Sequence, residues 1–190
     1  MDSFLSEKEL KELGLKVYGE DVRISKRAVF YSPEKITIGS HVRIDDFCFV
    51  SGGKGIRIGD YVHIAAYSAL YGKFSIEIGD YVNISSRVNI YSTSDDYSGE
   101  YLTGPLVKEA YIHDIGTRIV IEDLVIIGAG SVILPGGVLR EGAAVGAMSL
   151  IKSEVPSYQI YAGVPAKFVR GRSKNMLKYL EEYKGDGGDD

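Results

Sequence analysis

At 190 residues, with 25% charged residues and a net charge of -4, the chain has the size of one domain and a pI near 5.5. It has no basic block, which excludes the electrostatic footprint of a nucleic-acid or anionic-membrane binder, and no apolar run approaches the roughly 20 residues of a membrane span. Without a leader-like N-terminus the chain is expected to be cytoplasmic, and its single cysteine, Cys48, excludes an internal disulfide or a Cys-rich metal site.

Residues 3–14, SFLSEKELKELG, pair Ser6 with Glu9 as a capping box and place Leu5, Leu10 and Leu13 near helical spacing. A helical cap over 1–16 is predicted, stopped at Gly14 and covering the open strand edge of the first repeat. From Tyr18 the text YGEDVRI, IGSHVRI, IGDYVHI and IGDYVNI recurs every 20 residues, starting at Tyr18, Ile38, Ile58 and Ile78. Each period divides into hexads with a large apolar leader and a small or β-branched fifth residue. Ile24, Ile44, Ile64 and Ile84 lead the second hexad, and Phe30, Val50, Leu70 and Ile90 the third. Cys48 falls in a small fifth place beside Ala28 and Ser68, a core position.

Self-similarity at this period marks a solenoid. Each hexad forms one flat strand-like side, three make a triangular turn, and turns stack at roughly 4.8 Å. The fold predicted is an all-β solenoid, a parallel β-helix over 17–172 filled by columns of Ile, Leu and Val. Each buried leader contributes about 1.5 to 3 kcal/mol.

The fourth turn breaks the pattern. The first-hexad leader after Ile78 is Ile121, 43 residues on instead of 20, so 23 extra residues form a loop over about 92–118. Long loops on rigid scaffolds commonly carry function. Hexads then resume as IEDLVI, IGAGSV, ILPGGV, LREGAA, VGAMSL and IKSEVP, and SYQIYAGVPAKFVRGR closes the solenoid. A C-terminal helix over 173–184 presents Met176, Leu177 and Leu180, and residues 185–190, GDGGDD, are expected to be disordered.

The hexads resemble the hexapeptide-repeat acyltransferases, and IGAGSVILPGGV, VGAMSLIKSEVP and YAGVPAKFVRGR are similar to the C-terminal half of the galactoside and maltose O-acetyltransferases. This resemblance implies a left-handed β-helix, where the general rule for parallel crossovers favours the right hand. It also implies a homotrimer with acetyl-CoA in a groove between subunits. Ala129, Ala147 and the Ser149–Lys152 segment would then line the pantetheine channel through backbone contacts, and Lys152, Lys167 and Arg170 match the basic positions at the phosphate end. An extended arm needs small side chains beneath it, and phosphates need cations.

Neither family histidine is present. Asp95 stands where the one before the long loop would be, and Gly130 where the one in the IGAGSV hexad would be. The candidates for a base are Asp95, Asp96 and His63. The 20-residue period puts Asn83 above His63 and Arg43 below, so that Asn83 would fix the imidazole tautomer. Each has a plain structural alternative, an Asx turn for the aspartates and a polar ladder for His63. His41 has Tyr61 and Tyr81 above it and reads as a stacking residue; His113 reads as a solvated loop residue beside Asp114. Tyr97 and Tyr101 are candidates to contact a sugar face.

The function expected is acetyl-CoA-dependent transfer to a sugar hydroxyl or amine, in synthesis of a bacterial surface polysaccharide and without a metal. An amine with a pKa near about 8 is partly unprotonated at neutral pH. Loss of the histidine base therefore gives weight to the alternative, N-acetylation of a nucleotide-linked amino sugar. Two other classes stand against this reading. One is a non-catalytic trimeric scaffold; the other is a β-helical carbonic anhydrase, which requires three histidines around zinc.

Overall fold

The computed structural model describes residues 3–186. Seven coils stack into a three-sided prism. The first face is a seven-stranded sheet that begins at Val17–Tyr18 and ends at Glu154–Val155. The second is eight-stranded and runs from Arg23–Ile24 to Gln159–Gly163, with the strand Ala166–Gly171 folded back antiparallel on the last. The third is six-stranded, from Val29–Tyr31 to Leu150–Ile151. Apart from the folded-back strand, pairing in all three is parallel, and the predicted columns are its register: Ile38 beside Ile58, Ile44 beside Ile64, Val50 beside Leu70. The leaders Ile24, Ile44, Ile64, Ile84 and Ile127 are at most 1% exposed.

One strand spacing between coils decides the composition of the corners. Between the first and second faces, the N–H of Ser40 donates to Asp60 Oδ1 at 2.7 Å, Asp60 to Asp80 at 2.8 Å, and Asp80 to Asp123 at 2.8 Å. Each aspartate thus satisfies a corner amide of the coil before it. It occupies the space above the glycine there: a Cβ on Gly59 would overlap Asp80 Oδ1 and stand 2.8 Å from the Gly79 carbonyl carbon. The recurrent Ile-Gly-Asp text records this interlock. Next in the same corner, His41, Tyr61 and Tyr81 adopt positive φ and stack at 4.6 and 4.7 Å, one coil per ring.

Both ends of the prism are closed. Helix α1 (Glu7–Glu12) begins at the reciprocal Ser6–Glu9 capping box, buries Leu10, and comes after a bridge from Phe4 to Ser25 at the open strand edge. Helix α2 (Met176–Gly185) lies along the aromatic corner, with Tyr183 edge-on to Tyr61 and the Lys184 ammonium 5.3 Å from the Tyr81 ring centre. Arg172 leads into it and donates from Nη1 to the carbonyls of Leu124, Gly142 and Ala143 at 2.8, 2.9 and 3.3 Å. The expected tail over 185–190 falls largely outside the described residues. Gly185 ends α2, and Asp186 is its C-cap.

The insertion leaves the corner between the third and first faces of coil four. Thr93–Ser94 pairs antiparallel with Ile115–Gly116, and Leu102 bridges Ile112. Its return limb is tied to the coil before it by the Lys73–Asp114 ion pair and by Phe74, whose ring lies where a Cβ of Gly116 would be.

Gly59→Ala forces apart two coils that share backbone hydrogen bonds, an overpacking change that costs about 1 to 3 kcal/mol. Chemical denaturation is expected to show that loss. Stability equal to the parent chain would remove the interlock as the reason for glycine there.

Candidate active site

The corner between the second and third faces carries a strip of small residues, with Met148, 71% exposed, beside it. In its C-terminal half Ala129, Ala147 and Gly163 are exposed one above another. The residue before each sits under the next coil: a Cβ on Gly128 would stand 2.8 Å from Ala147 Cα, and one on Gly146 2.8 Å from Ala162 Cβ. Behind this strip a column of buried serines locks the corners. Ser131 Oγ donates to the Gly146 carbonyl at 3.0 Å and accepts from the Ser149 N–H at 3.2 Å; Ser149 Oγ donates to the Gly146 carbonyl at 2.7 Å and accepts from the Gly163 N–H at 3.0 Å. The Ser149 side chain is thus spent inside the corner. Among the described residues the amides of Ala129 and Ala147 have no partner within the chain, which leaves backbone donors on an exposed strip of small residues.

At the C-terminal end of the prism, Lys152 and Lys167 line a cavity of about 190 Å³ with Tyr161, Pro165 and Ala166. Arg170 is elsewhere, in a groove of about 440 Å³ with Arg172, Met176 and Tyr179 beside α2. The three cations grouped from the sequence are therefore split two to one.

The aspartates part company as well. Asp96 is buried to 9% exposure, and its carboxylate accepts from the Ser98 hydroxyl at 2.7 Å and from the amides of Ser98, Gly99, Glu100 and Tyr101 at 3.0 to 3.2 Å. The Ser98 bonds first, and the other amides with them, lower its pKa to about 2. Its oxygens organise the loop. Asp95 next to it is exposed. Tyr97 is 92% exposed, while Tyr101 lies against the His113 ring at 5.1 Å.

His63 is on the second face between Arg43 and Asn83, as the period requires. Its ring does not bond Asn83: Nε2 lies 2.9 Å from Asp45 Oδ2, on the coil below, and Arg43 Nε donates to Asp45 Oδ1 at 2.7 Å. Burial raises the Asp45 pKa, and the bonds from His63 and Arg43 outweigh it, so the carboxyl stays below its usual value. A charged carboxylate is a stronger acceptor than a neutral amide, which explains why the ring turns away from Asn83. His41 is in the aromatic corner and His113 in the loop, so the three histidines occupy three separate places. Among the described residues no group of His, Cys, Asp or Glu could hold a metal ion. Burial pushes the Cys48 thiol up to about 11, and the residue is 1% exposed in the core.

Within one chain the third face separates Asp95, Tyr97 and Tyr101 from the Ala129–Ala147 strip. Sequence reasoning missed the N-terminal half of the strip's own corner, where Arg27, Phe47, Tyr67 and Arg87 form one column. The 20-residue spacing of these residues was the available signal.

No family model matches the chain. Over 183 residues it is 46% identical to the dTDP-4-amino-4,6-dideoxy-D-glucose acyltransferase of Escherichia coli, covering 96% of this chain and 95% of that protein. It is 43% identical to AntD, an N-acyltransferase from Bacillus cereus solved with dTDP and 3-hydroxybutyryl-CoA, with a TM-score of 0.95 and all of both chains covered. A maltose O-acetyltransferase from Clostridium difficile is 21% identical with a TM-score of 0.52, covering 88% of this chain and 75% of that one, a likeness of fold alone.

Because amide protons of the loop are held by Asp96, their protection depends on its charge. A lowered pKa makes that contribution complete above the unfolded value of about 3.9 and lost as pH falls through about 2. Hydrogen exchange at Ser98–Tyr101, corrected for intrinsic rates, is expected to accelerate across that interval in the parent chain. In Asp96→Ala these amides should already exchange freely at pH 7. Protected amides in the variant would exclude the carboxylate as the organiser.

These likenesses overturn the assignment to the sugar O-acetyltransferase branch: the chain belongs to the hexapeptide-repeat β-helix acyltransferases, in the group of AntD and the dTDP-amino-sugar acyltransferase of Escherichia coli.

Proposed function

We propose that the chain transfers an acyl group, acetyl or a short homologue, from acyl-CoA to the amine of a nucleotide-linked 4-amino sugar. The observation that carries this is the likeness to AntD over all of both chains, a protein also crystallised with dTDP-4-amino-4,6-dideoxyglucose and coenzyme A. Both substrates belong to the cytoplasm, which is the location proposed, and an acylated nucleotide sugar suits assembly of a surface polysaccharide.

The pantetheine arm lies on the Ala129–Ala147 strip, with the free amides as its donors and Lys152 and Lys167 at the phosphate end. The neutral amine attacks the thioester carbonyl, the C–N bond forms, and the oxyanion is steadied by the Ala129 N–H. The C–S bond then breaks, the thiolate leaves, and a carboxylate takes the proton that the amine sheds. Asp95 is that carboxylate. AntD was crystallised with substitutions at a serine and at an aspartate ten positions further on, and Ser85 and Asp95 have this separation here. Ser86 and Asp96 share it, but the Asp96 oxygens are already filled by the loop.

Asp95 reaches the strip through a second copy. The third face is the most apolar: Val29, Phe49, Ala69, Asn89, Val132 and Leu150 lie in register along it, with Asn89 the one polar residue of that column, and Val29 is 47% exposed. Three copies closed around this face bring the loop corner of each against the Ala129 corner of the next, in a cyclic trimer with composite sites.

Matched dTDP sugars with a 4-amino or a 4-hydroxyl group separate the reactions; CoA release is expected with the amine alone, and Asp95→Asn is expected to lower kcat about 100-fold. Turnover of the hydroxyl sugar at a comparable rate would refute the reading. Val132→Glu places a charge on the third face. Light scattering should report monomers, with acyl transfer lost and circular dichroism retained; an active trimer would mean that another face is the interface.

A further inference from the structure

The second-to-third corner changes character at coil four. Above it run the small residues of the cofactor strip. Below it, four side chains stack in one column: Arg27 over the Phe47 ring at 5.8 Å, Phe47 on Tyr67 at 4.9 Å, and the Arg87 guanidinium over Tyr67 at 5.5 Å. Phe47, Tyr67 and Arg87 all hold φ near 60°, in the left-handed region where bulky residues are uncommon. The rings are 49% and 54% exposed.

The two arginines differ in one respect. Arg27 is neutralised by Asp46 at 2.6 Å, as Arg43 is by Asp45 on the second face. Among the described residues no carboxylate pairs with Arg87, which keeps its fork of donors open while the Tyr67 face holds its plane. It comes directly after Ser85 and Ser86, and the Ser86 carbonyl accepts from Gly130, next to Ala129. The column therefore starts one coil below the place where the acyl group is handed over.

We infer that the part of this column from Arg87 through Tyr67 to Phe47 is the acceptor's nucleotide subsite, with Arg87 binding the diphosphate and the edges of Tyr67 and Phe47 facing the nucleoside, while Arg27, held by Asp46, lies outside it. The inference rests on the proposed acyl transfer to a nucleotide-linked amino sugar. Chemistry supplies the direction. In such a sugar the diphosphate on C1 and the amine on C4 stand on opposite sides of one ring, so a cation for the diphosphate belongs about a ring's width from the thioester. Cofactor and acceptor then leave coil four in opposite directions along one corner. Lys152 and Lys167 serve the phosphates of the first, two and four strand spacings above coil four at roughly 4.8 Å each, and Arg87 those of the second. A guanidinium fork matches phosphate oxygens, and its stacking on an aromatic face limits the freedom lost on binding.

Calorimetry with dTDP and, separately, with CoA tests this on the full chain. Arg87→Ala should weaken dTDP about 10- to 100-fold, the range of a charge-assisted hydrogen-bonded contact, and leave CoA affinity unchanged. The KM for the dTDP-amino sugar should rise by a similar factor, with kcat falling less. Arg27→Ala, which removes the paired guanidinium from the other end of the same stack, should leave dTDP affinity within about twofold of the parent. The placement is overturned if Arg87→Ala binds dTDP like the parent, if it loses CoA in parallel, or if Arg27→Ala weakens dTDP equally. A parent chain that binds CoA but no dTDP would overturn the placement together with the proposed acceptor, whereas dTDP binding retained in Arg87→Ala overturns the placement alone.

Discussion

Everything in this molecule is subject to the distance between two hydrogen-bonded strands. Each coil lies one strand spacing from the next on all three faces, so a corner packed against the next coil makes the same demand again in successive coils. Where the chain turns from the first face to the second, that spacing leaves no room for a Cβ and exposes an amide. Glycine answers the first condition, and the aspartate of the next coil answers the second. The core obeys the same constraint, since inward residues at fixed register can only meet their own kind.

The three corners have taken separate tasks. The first-to-second corner is a stack of rings against which α2 lies, with Arg172 capping three carbonyls. The second-to-third corner is polished in one half by alanine and glycine and armed in the other by two rings and two guanidiniums. The third-to-first corner carries the long loop. In the loop, the division between Asp96 and Asp95 mirrors this economy: one carboxylate gives up its lone pairs to the backbone of Ser98 through Tyr101, and its neighbour stays open to solvent. In the trimer proposed above, closed on the third face, one site would be made from two of these corners.

The change from hydroxyl to amine acceptor fits the missing histidines. A sugar hydroxyl must lose its proton as it attacks and needs a strong base beside it. An amine is partly neutral before it binds and sheds its proton later, which a carboxylate can accept. Under the proposed function, Asp95 in the place of the family histidine would be a difference of acceptor chemistry, in keeping with the 46% identity to an amino-sugar acyltransferase.

Periodicity settled the architecture before any coordinates, because a side chain's column in a solenoid depends only on its place in the repeat. The pairing of Ile44 with Ile64, the position of His63 between Arg43 and Asn83, the buried Cys48 and the Ser6–Glu9 box were all legible from the text. The rest was a matter of which neighbour a side chain chooses, and local text does not carry that choice. His63 turned to Asp45 because a carboxylate outcompetes an amide for it; Arg170 parted from Lys152 and Lys167 because the last strand folds back across the second face. Sequence determined the columns, since a repeat of fixed length dictates register, whereas only the tertiary structure decided which charges in those columns neutralise one another and which, like Arg87, are left open.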